Sequence, residues 1–520
     1  MAITYATDLL CYLMFLIWLI TALLIHYFIK TFSKPETEIS PPPSPPALPF
    51  IGHLHLVGKV LPKSFQTLAS RYGPLMQIRM GASQCVVVSN AAVAKEIMKT
   101  QELNFSSRPE FGASEYFIYR GSRFILAEYG DYWRFMKKLS MTRLLSVPQL
   151  NKFISVRDEE KVKLVQSVMK CYKKGKPCDL SSEFTTLTNN TICQMAMSTR
   201  CSGSDNDAEE IKRLIKTCLV LAGKVHVGDV LGPLKVLDFS GNGKKLMSAL
   251  LKYDGIVERI MKEHEERAKM GFGADQRMDL MDILLEIYRD PNAEMKLTRK
   301  DIKSFLLDIF MAGTDTSSAA MQWAMGELIN HPKAFRKLRE EINAIVGTNR
   351  LVKESDIPNL PYLRAVIKET LRLHPSAPLI IRECAEDCIV NGYTVKSKSR
   401  VVINVYAIMR DPDSWTSPDE FIPERFLESS EEKIGEHPME FKGQNFRYLP
   451  FGSGRRVCAG ASLAMLVMHA AVGSLVQCFD WKLEDGEKVD LSQGPGFSSE
   501  MAKPLVCYPI KHADLLESLV

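Results

Sequence analysis

Phe451, Gly454, Arg456, Cys458 and Gly460 recur at short intervals in the segment PFGSGRRVCAG, residues 450–460. Glycines on both sides of a cysteine let the backbone approach a large flat ligand closely. Ala461 to Phe479 then reads as a helix, so the sulfur stands at a helix start. Free N–H groups and the macrodipole there favour thiolate, the form that ligates metal. No second Cys or His lies at ligand spacing, which argues against a zinc or iron–sulfur site. A lone thiolate suits the axial position of haem, whose porphyrin supplies four nitrogens. Arg456 would then meet a haem propionate.

An acid in an apolar helix is the second signal. The pattern FLLDIFMAGTDTSSAAMQWAMGELI is apolar nearly all round and belongs at the centre of a domain, yet it carries Ala312-Gly313-Thr314-Asp315-Thr316-Ser317. An uncompensated carboxylate there is expensive, which marks Asp315 and Thr316 as candidates for chemistry. Glu369 and Arg372 in KETLRLHP are three residues apart and share a helix face; exposed, they would form only a weak pair.

The elements that must hold these residues are mainly helical with a small β-sheet region. Periodicity places helices at about 133–146, 150–172, 207–223, 243–269, 299–330, 361–373 and 462–479, with Thr298 and Asp301 as a capping box before 299–330. Leu75 to Met80 and Cys85 to Val88 form an expected hairpin around Gly81. Upstream, PPPSPPALP (Pro41 to Pro49) is a stiff extended spacer. Leu9 to Ile29 contains no Asp, Glu, Lys or Arg, and as a helix it would extend roughly 30 Å, enough to cross a bilayer. Asp8 before it and Lys30 and Lys34 after it orient the bulk of the chain to the cytosol. The expected organisation is a lumenal terminus (1–8), a single transmembrane anchor (9–29), a basic and proline-rich linker (30–49) and one cytosolic catalytic domain (50–520).

Composition agrees with a packed globular protein: 520 residues, 46% hydrophobic. A net charge of +5 from 66 basic and 61 acidic residues argues for neither nucleic acid nor an acidic partner of the whole chain. The twelve cysteines contain no CxxC pair, so a disulfide scaffold or zinc ribbon is not expected and most should be small buried residues.

The segment Phe451-x-x-Gly454-x-Arg456-x-Cys458-x-Gly460 resembles the haem-binding signature of the cytochrome P450 superfamily. The resemblance implies the P450 fold, haem b (iron protoporphyrin IX) with Cys458 as axial iron ligand, and monooxygenase activity. It implies that Gly313 lets the central helix open, and that Asp315 and Thr316 relay protons to dioxygen. Glu369 and Arg372, with Arg425 of PERF, match the family's structural triad. Trp133 and Arg382 match residues that contact the haem and its propionates. The chain departs from the pattern twice. Lys137 stands where an arginine is usual and lacks its bidentate fork; Ala459 stands where plant members usually have proline. The details look like a plant microsomal member, similar to the group of flavone and isoflavone synthases, β-amyrin 24-hydroxylase and friedelin oxidases.

Further implications follow from the resemblance. Electrons come from NADPH through NADPH-cytochrome P450 reductase, for which Lys137, Lys138, Arg447 and Arg455 offer a basic docking face. The enzyme sits in the endoplasmic reticulum membrane, held to lipid by its N-terminal helix, with the catalytic domain facing the cytosol. The substrate pocket draws on segments 111–126, 221–231, 308–315, 376–381 and 496–501. Phe117, Phe124, Ile125, Leu126, Phe310, Met311, Ala312, Leu379, Ile380 and Ile381 make its wall apolar, with few fixed hydrogen-bond partners. Such a wall favours a hydrophobic substrate, best a friedelin-like pentacyclic triterpenoid, over a polyhydroxylated flavonoid or isoflavonoid, whose unpaired polar groups would cost binding. A haem protein that rearranges peroxides without a reductase fits poorly with Asp315 and Thr316. A membrane-anchored haem-binding or interaction protein without oxygenase activity leaves that pair unexplained. A nucleic-acid role for GSGRR lacks both the lysine of a phosphate loop and a long basic stretch.

Overall fold

The computed structural model describes residues 12–18, 20–22, 25, 40–110, 116–199, 206–222, 241–270, 277–427, 443–484, 486, 488–494 and 499–512. Residues 1–11, 19, 23–24 and 26–39 of the expected terminus, anchor and linker, and the pocket segments 111–115, 223–231 and 496–498, lie outside them.

Eleven longer helices dominate the described residues: α1 (Leu61–Tyr72), α2 (Asp131–Leu139), α3 (Ile154–Lys173), α4 (Leu180–Met197), α5 (Asn206–Ala222), α6 (Asn242–Lys269), α7 (Leu280–Arg289), α8 (Arg299–Asn330), α9 (Pro332–Ile345), α10 (Pro361–Leu373) and α11 (Ala461–Cys478). Strands are β1 (Leu75–Met80), β2 (Ser83–Val88), β3 (Cys178–Asp179), β4 (Leu379–Glu383), β5 (Cys388–Val390), β6 (Tyr393–Val395), β7 (Arg400–Asn404), β8 (Phe479–Lys482) and β9 (Val506–Lys511). They form a four-stranded sheet in the order β1-β2-β7-β4, a three-stranded sheet β3-β9-β8 and the hairpin β5-β6.

Helix α8 runs unbroken through the middle, packed against α4 and α11. Its start is set as the sequence indicates: the Thr298 side chain accepts from Asp301 N–H while the Asp301 carboxylate accepts from Thr298 N–H. At Gly313 an added Cβ would come within 2.5 Å of Ile192 Cδ1 on α4, and the helix is continuous through it.

Helix α11 is long and apolar enough to span a bilayer, but 78% of it is buried inside the protein. It is a core helix, and it fixes the end of the cysteine loop. The described residues of Tyr12–Ala22 are helical too, and there the side chains of residues 12–18 are all exposed. The cysteines hold one departure from expectation. Cys193 is disulfide-bonded, while among the described residues nine others, Cys458 among them, are free.

Candidate functional site

The loop before α11 is shaped around Cys458. Gly452 and Gly454 adopt φ values of 74° and 69°, the left-handed region that favours glycine. At Gly454 any Cβ would collide with Met98 O and the Glu102 carboxylate. Cys458 N–H donates to Phe451 O at 3.0 Å, closing the loop on itself.

The Cys458 side chain is exposed, yet desolvation is the first cause of its shifted pKa. Both are true of a sulfur enclosed by protein that still presents one open face to an internal chamber. Ala312 has the same character: between residues 301 and 330 of the otherwise enclosed α8 it alone is exposed. Burial pushes the Cys458 thiol up, and hydrogen bonds from Gly460 and Ala461 N–H, with the charges of Lys137 and Arg108, act against it. The helix-start N–H groups thus favour the thiolate as the sequence suggests, while burial opposes it.

Three arginines gather nearby. Arg456 donates to Ser106 O at 2.7 Å and to Ala127 O at 2.5 Å, and its guanidinium lies 4.4 Å over the Trp133 ring. Burial and then Arg108 lower it to about 9. Arg382 on β4 is 3% exposed and held well below its ordinary value, first by burial and then by Arg108 and Arg456. Arg108 is lowered by burial against the pull of Asp308 and Cys458, and its Nε has no hydrogen-bond partner. Three crowded guanidinium groups with an unpartnered donor call for added negative charge. Haem fits that requirement: two propionates for the arginines and an axial position for one sulfur. Arg108 was missed from sequence because FSSRP reads as a turn before proline; a buried-arginine signal has no sequence pattern.

The other expected residues fall into distinct places. Trp133 on α2 is 4% exposed, stacked against Phe124 with ring centroids 6.2 Å apart. Ala459 packs against the same core cluster. Asp315 and Thr316 share a turn of α8. Burial, then Glu500, raises the Asp315 carboxyl to about 6. Thr316 Oγ1 donates to Ala312 O at 2.6 Å, and Thr316 O accepts from Ser376 Oγ at 2.8 Å. Glu369, Arg372 and Arg425 lie away from the chamber and are no surface pair: Glu369 and Arg372 are 0% exposed. Arg372 binds Glu369 through Nε at 2.7 Å and Nη2 at 2.8 Å, and Arg425 Nε reaches Glu369 at 3.1 Å.

The expected wall needs revision. Phe117, Phe124, Ile125, Phe310 and Met311 do share one cluster, but Phe310 is 0% exposed and belongs to the core behind it. Leu379 packs into a separate small core and Ile380 into the core around Trp415; Ile381 is half-buried on β4. Among the apolar residues stands an ion pair that the reading overlooked. Arg123 binds Asp308 deep inside, Ile125 N–H donates to Asp308 at 3.0 Å, and Arg123 Nη1 has no partner. Arg123, Arg108, Phe117 and Leu126 border a cleft of about 920 Å³ whose lining includes neither Cys458 nor Ala312. The apolar residues thus have one buried ion pair among them. Nor is the basic docking face free: Lys138 pairs with Glu294 at 2.7 Å, Arg455 with Glu102 at 3.0 Å, and Lys137 turns inward.

Comparison with known proteins agrees with this geometry. The family model described as Cytochrome P450 matches residues 42–508. The chain is 42% identical to 3,9-dihydroxypterocarpan 6A-monooxygenase of Glycine max, covering 96% of this chain and 98% of that one. It is 41% identical to beta-amyrin 24-hydroxylase of Glycine max, over 96% and 97% of the two chains. A solved zebra fish cytochrome P450 structure with progesterone superposes with a TM-score of 0.72 at 25% identity, over 86% of this chain and 99% of that one.

Proposed function

This chain belongs to the cytochrome P450 family, and we propose that within it the protein oxidises an oxygen-bearing pentacyclic triterpenoid, friedelin-like in outline. That it is a cytochrome P450 monooxygenase of plant specialised metabolism, with haem b as cofactor, follows from the family. The observation that carries the site is the convergence of one free, open-faced cysteine with three under-compensated arginines.

In this reading haem supplies the oxygen chemistry when bound, and the residues supply everything around it. Cys458 would supply the sulfur that holds the haem iron. Arg108, Arg382 and Arg456 would hold its propionates, and the Trp133 ring lies against the Arg456 guanidinium. Asp315, whose carboxyl is raised to about 6, can take up and release a proton just below neutral pH, and Thr316 Oγ1 is the hydroxyl beside it on the same turn. Phe117, Phe124, Ile125, Met311 and Ala312 cover the apolar body of the substrate and exclude water. The Arg123–Asp308 pair gives the wall one polar point, suited to a ketone or hydroxyl on an otherwise hydrocarbon skeleton.

The described apolar residues from Tyr12 to Ile25, exposed with nothing packed over residues 12–18, support a membrane anchor within 9–29. The domain from 50 to 520 then lies in the cytosol against the endoplasmic reticulum, with NADPH-cytochrome P450 reductase as electron donor and O2 as co-substrate. A flavonoid-like substrate is the second reading. Similarity to an enzyme named for a dihydroxypterocarpan favours it. Microsomes holding the protein and a reductase, fed triterpenoids and flavonoids with NADPH, separate the two. An oxygenated triterpenoid is the expected product; a flavonoid product without one would reverse the choice.

A further inference from the structure

Lys137 stands on α2, one helical turn after Trp133, and its Nζ donates to the carbonyl oxygen of Val457 at 2.6 Å. That carbonyl belongs to the peptide unit whose N–H is Cys458's own. The N–H end donates to Phe451 O at 3.0 Å. The peptide leading into the cysteine is thus gripped at both ends, by the loop on one side and by an ammonium from another element on the other. Lys137 is half-buried, and the charged groups that bear on it are Cys458 and Arg456. Neither is a carboxylate that would neutralise it.

We propose that Lys137 is a positioning residue for the haem thiolate: its ammonium fixes the Val457–Cys458 peptide and sets a positive charge beside the sulfur, raising the reduction potential of the bound haem. The physical reason is charge balance. Taking up an electron makes the haem–thiolate unit more negative, and a fixed cation in a low-dielectric setting stabilises that product more than the starting state. Lysine suits the task because it is a compact point charge on a long stem, able to reach a single carbonyl. The departure from the family pattern at Lys137 thereby acquires a role distinct from propionate binding and from partner docking.

This inference rests on Cys458 as haem ligand, so the wild-type reduced carbon monoxide spectrum is recorded first; absence of a thiolate-type band would overturn that reading and this inference with it, whereas the variant results below bear on Lys137 alone. The test then uses the full-length, haem-loaded protein as wild type, Lys137→Arg, Lys137→Gln and Lys137→Met. Haem content and the ferric–ferrous midpoint potential are measured for each by spectroelectrochemical titration. Lys137→Gln keeps a donor for the Val457 carbonyl without the charge, and Lys137→Met keeps neither. Both should retain haem and shift to a more negative midpoint, with slower first reduction by the reductase, while Lys137→Arg restores the wild-type value. An unshifted midpoint in loaded Lys137→Gln would overturn the proposal. So would a Lys137→Arg midpoint displaced as far as that of Lys137→Met. Loss of haem from both neutral variants would overturn it as well, since the residue would then be a structural prop.

Discussion

Arg372 and Arg425 lie around a carboxylate, whereas Arg108, Arg382 and Arg456 lie around one another. In the first group every guanidinium is closed off: Arg372 adds Met409 O at 2.9 Å, Pro418 O at 2.7 Å and Glu420 O at 3.1 Å to its pair of bonds with Glu369. Arg425 adds Thr416 O at 2.9 Å and Ser417 O at 3.2 Å. In the second group the named partners are carbonyls, and Arg108 Nε has none. Both groups are buried arginine clusters, and the difference separates scaffold from site. A scaffold completes its own charge balance, while a cofactor site leaves a deficit that the ligand fills.

The largest break in that comparison comes from Glu369→Gln. Removing the shared carboxylate leaves two buried cations uncompensated and should cost about 3–5 kcal/mol, seen as loss of recoverable folded protein or a steep fall in thermal midpoint. Arg382→Met should act in the opposite sense on the second group. Relieving crowding among like charges leaves the apoprotein midpoint unchanged or higher, while haem retention falls about tenfold, the worth of one charge-assisted hydrogen bond. A lowered apoprotein midpoint would place Arg382 with the scaffold.

A smaller effect is expected at Asp315. Its folded-state carboxyl, at about 6, lies above the ordinary 3.8, so the folded protein favours the protonated form. The associated stability is fully present below pH 3.8 and is lost as pH rises through about 6. The same rise removes the proton that Asp315 can donate. Product formed per NADPH should therefore decline through that window, and Asp315→Asn should flatten the profile; an unchanged inflection in the variant would detach the residue from proton delivery.

Local signals made much of this legible before any coordinates. The limits of α8 follow from the Thr298 and Asp301 cap, and α10 and α11 from their apolar periodicity, because these features lie within a few residues of each other. Helix α4 was missed: FTTLTNNTIC is rich in β-branched and polar residues, and it is held by partners elsewhere, such as Asn190 donating to Glu160 at 2.8 Å on α3. The short helices α7 and α9 and the strands after β2 were likewise passed over. Cys458, Arg456 and the Asp315–Thr316 pair were visible because their motifs are contiguous. Arg108 and the Arg123–Asp308 pair were not, since the latter joins positions 185 residues apart and a single sequence carries no record of such contacts. The inward turn of Lys137 was invisible for the same reason, being a contact across 320 residues.

The account stands or falls on the state of one sulfur. Full-length protein reduced and exposed to carbon monoxide should give the strongly red-shifted Soret band of a thiolate-ligated haem, and Cys458→Ala should abolish either that band or haem incorporation. Folded wild-type protein without the band, or Cys458→Ala with it intact, would contradict the assignment of Cys458 as the axial ligand.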